Sequence, residues 1–198
     1  MQALRPLFLL TLLPASLAAA ANLQVQVTDA AGQPLQDAAV YAEPVGGQPP
    51  RHTKVVEIEQ KGRKFMPLLT VVQTGTEISF PNHDTVRHHV YSLSPAKPFE
   101  LKLYSGVPGK PILFDKPGTV VLGCNIHDQM VAYIRIVDTP WFAKTDGAGK
   151  ATIDNLPPGR YQLKAWHVGG APNAQPVEQP LTMTAGDASA SMRLPGKS

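Results

Sequence analysis

The sequence predicts an all-β protein built from many short strands. Twenty prolines and sixteen glycines are spread over 198 residues, and such frequent breaks argue against long helices. Apolar and polar residues alternate over short runs such as residues 23–28, and this period of two is typical of half-buried strands. With 43% hydrophobic and 17% charged residues, the chain has the composition of a folded globular protein.

Residues 1–21 predict a secretory signal peptide. They combine a charged start at Arg5, a short apolar stretch and an alanine-rich end with cleavage choices near Ala21. No later stretch approaches the roughly 18 apolar residues that a membrane-spanning helix needs. We therefore expect a mature chain without a membrane span, located in the periplasm.

Charge and motif content exclude several classes of function. The formal net charge is only +3, from 18 basic and 15 acidic residues, and aromatic residues do not alternate with basic ones as a nucleic-acid surface requires. The chain has no serine nucleophile elbow, phosphate-binding Walker loop or His-Glu-x-x-His motif. The sequence therefore predicts no nucleic-acid partner and no hydrolytic activity.

The two ends of the chain carry motifs that belong to one common pattern. Residues 23–28 and 38–42 predict two strands joined as a hairpin through the turn at residues 29–34. The first end contains Val-Thr-Asp and Gly-Gln-Pro-Leu, and the second contains Thr-Asp-Gly-Ala-Gly and Leu-Pro-Pro-Gly-Arg-Tyr-Gln-Leu. This pattern resembles the carboxypeptidase-regulatory-like, transthyretin-like sandwich.

That resemblance implies that residues 22–50 and 140–198 form a second, smaller β-sandwich that serves as scaffold and docking surface. Residues 51–139 are then a separate domain inserted between two of its strands. The alternative is one large all-β domain. Within the insertion we predict seven strands, at residues 55–60, 68–73, 77–80, 90–92, 99–104, 118–123 and 131–137.

The strongest chemical signal lies in the loop after an apolar strand, in Cys124-Asn-Ile-His127-Asp-Gln-Met130. A thiolate, an imidazole and a thioether within seven residues can converge on one metal ion. Copper in a trigonal His2Cys site with a weak axial thioether needs one further imidazole, and His88 supplies it. A single cysteine in an oxidising compartment also favours a ligand over a disulfide.

These residues resemble those of the cupredoxins, the blue copper proteins that include plastocyanin, pseudoazurin and amicyanin. The resemblance covers about 80 residues and implies a Greek-key sandwich with one type 1 copper held by His88, Cys124, His127 and Met130. The Cys-x-x-His-x-x-Met spacing is most similar to that of amicyanin. The combination of both sandwiches also resembles bacterial proteins labelled as methylamine-utilisation proteins.

Three positions leave alternatives open. His89 stands where the family commonly has asparagine, so it either replaces that residue's hydrogen bond or is itself the first ligand. His83 is an exposed loop residue, a hydrogen-bond partner of the site or a second metal contact. Ile126 replaces a common proline, which leaves the ligand loop less rigid.

A filled His2Cys and methionine set has no open position for substrate, so it favours outer-sphere transfer of single electrons over catalysis. We predict an electron carrier rather than an enzyme, with a periplasmic cytochrome c or oxidoreductase as redox partner. By the cupredoxin resemblance, His127 is the site of electron entry and exit. The alternatives are a copper-holding or copper-sensing accessory protein, a structural docking module, and an electron-relaying subunit of an oxidoreductase.

Overall fold

The computed structural model describes residues 20–51, 54–171 and 173–195. This part of the chain contains seventeen strands and no helix, so the predicted all-β class is confirmed. No helix here is long and apolar enough to cross a membrane. Most of the predicted signal peptide, residues 1–19, lies outside the described residues, and the first strand begins at Ala21.

The strands fall into two regions. The terminal region contains β1 (Ala21–Thr28), β2 (Ala38–Pro44), β13 (Phe142–Lys144), β14 (Lys150–Leu156), β15 (Gly159–His167), β16 (Val177–Met183) and β17 (Ala188–Arg193). The central region contains β3 (Val56–Glu57), β4 (Glu59–Gln60), β5 (Phe65–Met66), β6 (Leu69–Gln73), β7 (Thr76–Ser79), β8 (His88–Ser92), β9 (Phe99–Tyr104), β10 (Ile112–Phe114), β11 (Gly118–Cys124) and β12 (Val131–Val137).

Two sheets enclose the core of the terminal region. One has the strand order β14-β1-β17 and the other β13-β2-β15-β16. Each sheet therefore joins a strand from the start of the chain to strands from its end. Alternation along β1 buries Leu23, Val25 and Val27 completely or nearly so, and these side chains pack in one cluster with Leu163 and Met192.

The predicted hairpin between the first two strands is wrong. β1 pairs with β14 and β17, whereas β2 pairs with β13 and β15. The segment between them, residues 29–37, carries the chain from one sheet to the other. β2 is buried over its first five residues, because one of its faces lines the core and the other packs toward the central region.

The central region has its own two sheets. A five-stranded sheet has the order β6-β12-β11-β8-β9, and a three-stranded sheet has the order β10-β7-β3. Their buried faces form a second core cluster that includes Phe80, Phe114, Leu122 and Ile134, and Cys124 lies in it too. The small β4–β5 hairpin, absent from the predicted strands as a separate pair, lies beside this sandwich.

Arg135 joins the two regions. Its Nη2 donates to the hydroxyl oxygen of Tyr41 at 2.7 Å, and its Nη1 donates to Thr119 Oγ1 at 2.8 Å. The guanidinium carbon lies 5.5 Å from the centre of the Tyr41 ring and 5.8 Å from that of Trp166, within the range of cation–π attraction. A third small cluster, centred on buried Leu69 and Trp166, surrounds this contact. The domain boundaries at residues 50/51 and 139/140 stay a prediction.

Candidate metal centre

Adjacent strands of the five-stranded sheet bring two of the predicted ligands together. β8 begins at His88, and β11 ends at Cys124. These antiparallel strands pair Cys124 with Val90, two residues along from His88 and therefore on the same face. Both side chains consequently enter the end of the core, where His88 is fully buried and Cys124 is 4% exposed.

A tight turn after β11 supplies the third side chain. The amide of His127 donates to the carbonyl of Cys124 at 3.4 Å, and the amide of Met130 donates to the carbonyl of His127 at 2.9 Å. This turn folds the imidazole of His127 back over the strand end. Its ring centre lies 5.0 Å from that of His88.

The three donor atoms form a compact triangle. Cys124 Sγ lies 3.8 Å from His88 Nδ1 and 3.9 Å from His127 Nδ1, and all three donors lie within 4.8 Å of one another. For a trigonal ion, bonds of about 2.0 Å to nitrogen and about 2.3 Å to sulfur place each nitrogen about 3.7 Å from the sulfur. The separations in this chain therefore fit one metal ion between the three atoms.

A carboxylate that the sequence analysis did not assign orients His88. Asp84 Oδ2 lies 2.8 Å from His88 Nε2. Because a carboxylate only accepts hydrogen bonds, Nε2 carries the ring proton and Nδ1 keeps its lone pair toward Cys124. This arrangement of carboxylate, histidine and metal-facing nitrogen is the common way in which proteins fix a metal-binding imidazole.

Asp84 is itself held by backbone amides. Its carboxylate accepts from the amide of Gly62 at 2.6 Å and from that of Arg63 at 2.9 Å. Partial burial opposes ionisation of this group, but the hydrogen bonds from Arg63, His88 and Gly62 outweigh it and lower the pKa of Asp84 below its ordinary value. The group that faces His88 is therefore a fixed negative charge at neutral pH.

A buried polar network also supports the loop that contains Asp84. Asn82 Nδ2 donates to the carbonyls of Val86 and Tyr104, at 2.9 and 3.0 Å. The Tyr104 hydroxyl donates to the carbonyl of Phe80 at 2.6 Å, and Gln60 Nε2 donates to that hydroxyl. Burial, opposed by the hydrogen bond from Gln60, raises the pKa of Tyr104 to about 12, so its hydroxyl remains a neutral donor.

Met130, the predicted axial ligand, is 1% exposed and lies in the same core cluster as Cys124. It lies at the end of the turn that follows Cys124, immediately before β12. Its assignment as the fourth ligand stays a prediction.

His89 points away from the donor triangle. Alternation along β8 puts it on the opposite face from His88, where its Nε2 lies 3.0 Å from Glu100 Oε1 and its ring meets that of Tyr91 edge-on. The potential metal-binding group in the described residues contains His88 and not His89.

His83 lies outside the donor triangle as well. Its side chain is 52% exposed, and its Nδ1 lies 3.0 Å from Glu59 Oε2. Its backbone amide donates to the carbonyl of Gln60 at 2.8 Å. His83 therefore ties its loop to the β4–β5 hairpin and makes no contact with His88 among those described.

The sequence analysis missed Asp84, Gln60 and Tyr104. Only Asp84 left a signal, since it stands four residues before His88 in the same loop. The positions of Gln60 and Tyr104 depend on strand pairing across the sandwich, which no local motif records.

No protein-family model matches this chain, and no curated protein matches it. Among solved structures it is similar to a purple cupredoxin from Nitrosopumilus maritimus, with 18% identity over 41% of this chain and 99% of that one, at a TM-score of 0.37. It is also similar to an amicyanin variant with Cu(I), with 15% identity over 42% of this chain and 82% of that one, at a TM-score of 0.38.

A copper-containing nitrite reductase from Thermus scotoductus is similar over 57% of this chain and 28% of its own length, with 24% identity and a TM-score of 0.40. All three TM-scores are low. The functional proposal below therefore depends on the donor atoms of this chain and not on these likenesses.

Proposed function

We propose that this protein is a periplasmic copper protein that transfers single electrons. The observation that carries the proposal is the convergence of His88 Nδ1, Cys124 Sγ and His127 Nδ1 at separations of 3.8 and 3.9 Å from the sulfur. His88, Cys124 and His127 would hold one ion, with Met130 as the proposed fourth ligand.

The chemistry of the donors favours copper over other ions. A thiolate combined with two imidazoles and a weak axial thioether suits an ion that alternates between Cu(I) and Cu(II), whereas oxygen ligands suit magnesium and calcium. Copper held in this way would supply reversible exchange of one electron. The carboxylate of Asp84, which accepts from His88 Nε2, would add a fixed negative charge that favours the more positive Cu(II) state.

Burial of the donors supports electron transfer over catalysis. His88 is fully buried and Cys124 and Met130 nearly so, which leaves a substrate no direct access to them. His127 is the partly exposed member of the set, and Ile126 beside it is 48% exposed. His127 is therefore the proposed site at which electrons enter and leave.

The sheet would hold the proposed ligands in nearly fixed positions. His88 and Cys124 are strand residues, and Asp84 fixes the ring of His88 through a carboxylate that is anchored to two backbone amides. Such fixed positions would limit ligand movement between oxidation states and so favour fast electron exchange. We further propose a periplasmic cytochrome c or oxidoreductase as redox partner, with the terminal region as scaffold and docking surface.

The test is spectroscopic and uses the full mature chain with one equivalent of Cu(II). We expect an intense thiolate-to-copper absorption band with a narrow copper hyperfine splitting in electron paramagnetic resonance, and reversible bleaching by ascorbate and hexacyanoferrate(III). The band should disappear in Cys124→Ser. It should persist in a matched control, His83→Ala, which removes an imidazole outside the donor triangle.

Two outcomes contradict the proposal. A colourless copper complex, or copper binding that is unchanged in Cys124→Ser, would exclude a thiolate ligand. A coloured protein that cannot be reduced and reoxidised would favour the alternative of a copper-holding or copper-sensing accessory protein.

A further inference from the structure

Four basic side chains lie on segments next to Asp84 and His88. They are exposed and lie on two neighbouring segments, the turn of the β4–β5 hairpin and the loop before β8. We call them the basic rim: Lys61, Arg63, Lys64 and Arg87. None of the four makes an ion pair with an acidic group in the described part of the chain.

Direct contacts fix the rim beside the site. The hairpin turn is closed by a hydrogen bond from the Lys61 amide to the Lys64 carbonyl at 3.0 Å. The Arg63 amide donates to Asp84, and the same carboxylate contacts His88 Nε2. Arg87 immediately precedes His88. The backbone that carries the rim is therefore linked to the proposed copper ligand His88, either directly in sequence or through Asp84.

Nearby acidic groups offset part of this charge. Asp84 is ionised, but it is only 14% exposed and accepts hydrogen bonds from three donors. Glu59 lies beside His83, and the exposed Asp128 follows His127. Four cations against these three carboxylates leave a net positive charge, and all four cations lie in two adjoining turns.

Apolar side chains lie on the two ligand loops beside the rim. Val86 precedes Arg87 and is 37% exposed, and Ile126 precedes His127 and is 48% exposed. A small apolar contact next to like charges suits a transient complex, because charge accelerates encounter while the apolar contact brings the redox centres close.

We infer that the basic rim is the docking surface for a redox partner that carries acidic side chains around its own electron-transfer site. This inference rests on the proposed function, since it names the partner chemistry of the same site. Through Asp84 the rim is linked to His88, so a partner bound at the rim comes close to the donor set.

Stopped-flow reduction of the Cu(II)-loaded full chain tests the inference with two protein probes of opposite charge. Reduced cytochrome b5 is the acidic donor, and reduced cytochrome c is the basic donor. With wild type we expect cytochrome b5 to react faster at low than at high ionic strength, and cytochrome c to show the opposite trend. In Lys61→Glu/Lys64→Glu the rate with cytochrome b5 at low ionic strength should fall by about tenfold or more.

The matched control is Lys54→Glu/Lys116→Glu, which makes the same change in total charge. Both lysines are exposed and precede β3 and β11, so they lie at strand ends opposite to the donor set. This variant should keep the wild-type rate with cytochrome b5 within about twofold. Equal loss in the two variants, or rates that do not depend on ionic strength, would overturn the inference.

Failure of the inference is distinguishable from failure of the proposed function. Reduction by hydroquinone, which is uncharged at neutral pH, at equal rates in all variants, together with no preference between the cytochromes, overturns only the docking surface. Absence of a thiolate-to-copper band overturns the proposed function itself. Sedimentation of the wild type, but not of Lys61→Glu/Lys64→Glu, with phosphatidylglycerol vesicles and no preference for cytochrome b5 would assign the rim to a membrane surface and overturn a protein partner.

Discussion

The terminal and central regions both bury an apolar core between two sheets, but they differ in where polar side chains are buried. Of the ten buried polar or charged residues in the described part of the chain, eight lie between Gln60 and Ser92. The other two, Thr139 and Thr145, each donate to a backbone carbonyl. The terminal region therefore buries few polar groups, whereas the central region buries many. Of the latter, Gln60 and Asn82 belong to the network that supports the loop before His88.

This difference shows how one type of architecture serves two purposes. Buried polar groups are costly unless they are hydrogen-bonded, and a protein that needs only a scaffold avoids them. The central region keeps Asn82, Asp84 and Tyr104 bonded into the loop that orients His88. Changes in the terminal region should therefore alter the free energy of unfolding. Changes near His88 should instead alter copper binding and its reduction potential.

Gly149 in the terminal region gives the largest expected effect. It has φ of +70°, and a Cβ atom there would lie 2.5 Å from the Val27 carbonyl oxygen. Gly149→Ala should therefore lower the free energy of unfolding by about 3 kcal/mol, as measured by urea denaturation. Gly147→Ala is the control in the same turn, because its nearest neighbour is 3.7 Å away.

Because Gly149 lies in the terminal region, we also expect folded Gly149→Ala to keep the wild-type copper spectrum. A changed spectrum in the native protein would show that the terminal region shapes the site. A loss of stability no larger than that of Gly147→Ala would contradict the close approach of the Gly149 backbone.

Arg135 tests the contact between the regions and gives the next largest effect. Arg135→Ala removes two hydrogen bonds and the cation–π contacts with Tyr41 and Trp166, so we expect a loss of about 2 kcal/mol in unfolding free energy. Trp166 fluorescence during urea denaturation reports it. The exposed Arg160→Ala is the control, and an equal loss there would show that the interface contributes nothing specific.

Asp84→Asn tests the role of the buried polar groups around His88. It removes the negative charge facing His88 Nε2, so affinity for Cu(II) should fall more than affinity for Cu(I). A tenfold difference corresponds to a rise of about 59 mV in the reduction potential, measured by cyclic voltammetry. The control is the exposed Asp115→Asn, which should leave the potential unchanged. An unaltered potential in Asp84→Asn would show that the carboxylate of Asp84 does not influence the copper.

Lys164 gives the smallest effect, in the terminal region. Its Nζ lies 2.8 Å from Glu43 and 3.3 Å from Glu178. Burial acts against the charged form, but these carboxylates outweigh it and raise the pKa of Lys164 above 10.5. The charge therefore stabilises the fold fully below pH 10.5 and loses this contribution as the pH rises through the raised value.

We expect Lys164→Met to cost no more than about 1 kcal/mol at neutral pH and less at about pH 11, by urea denaturation. Lys150→Met, at an exposed position of the same region, is the control. A cost that grows with pH would contradict the assigned direction of the pKa shift.

The sequence predicted what depends on local pattern. Alternation located most strands within one or two residues, and the Cys-x-x-His spacing marked a turn that brings Cys124 and His127 together. His88, and not His89, lies on the side of β8 that faces Cys124, while the ligand assignments stay a prediction. The hairpin prediction failed because alternation marks a strand but not its partner, and β2 pairs with strands more than a hundred residues away.

Nonlocal contacts explain what the sequence could not supply. Gln60, Asn82 and Tyr104 meet only after three segments of the sandwich are assembled. Asp84 lies close to His88 in sequence, but its role depends on the amides of Gly62 and Arg63 more than twenty residues earlier. Arg135 likewise acquires its aromatic partners from both ends of the chain.

The most direct test of the central claim is a crystal structure of the copper-loaded full chain with anomalous scattering measured at the copper absorption edge. We predict a single anomalous peak between His88 Nδ1, Cys124 Sγ and His127 Nδ1, with Met130 Sδ as the nearest further donor. A peak elsewhere, such as between His83 and Glu59, or no peak within bonding distance of Cys124, would contradict it.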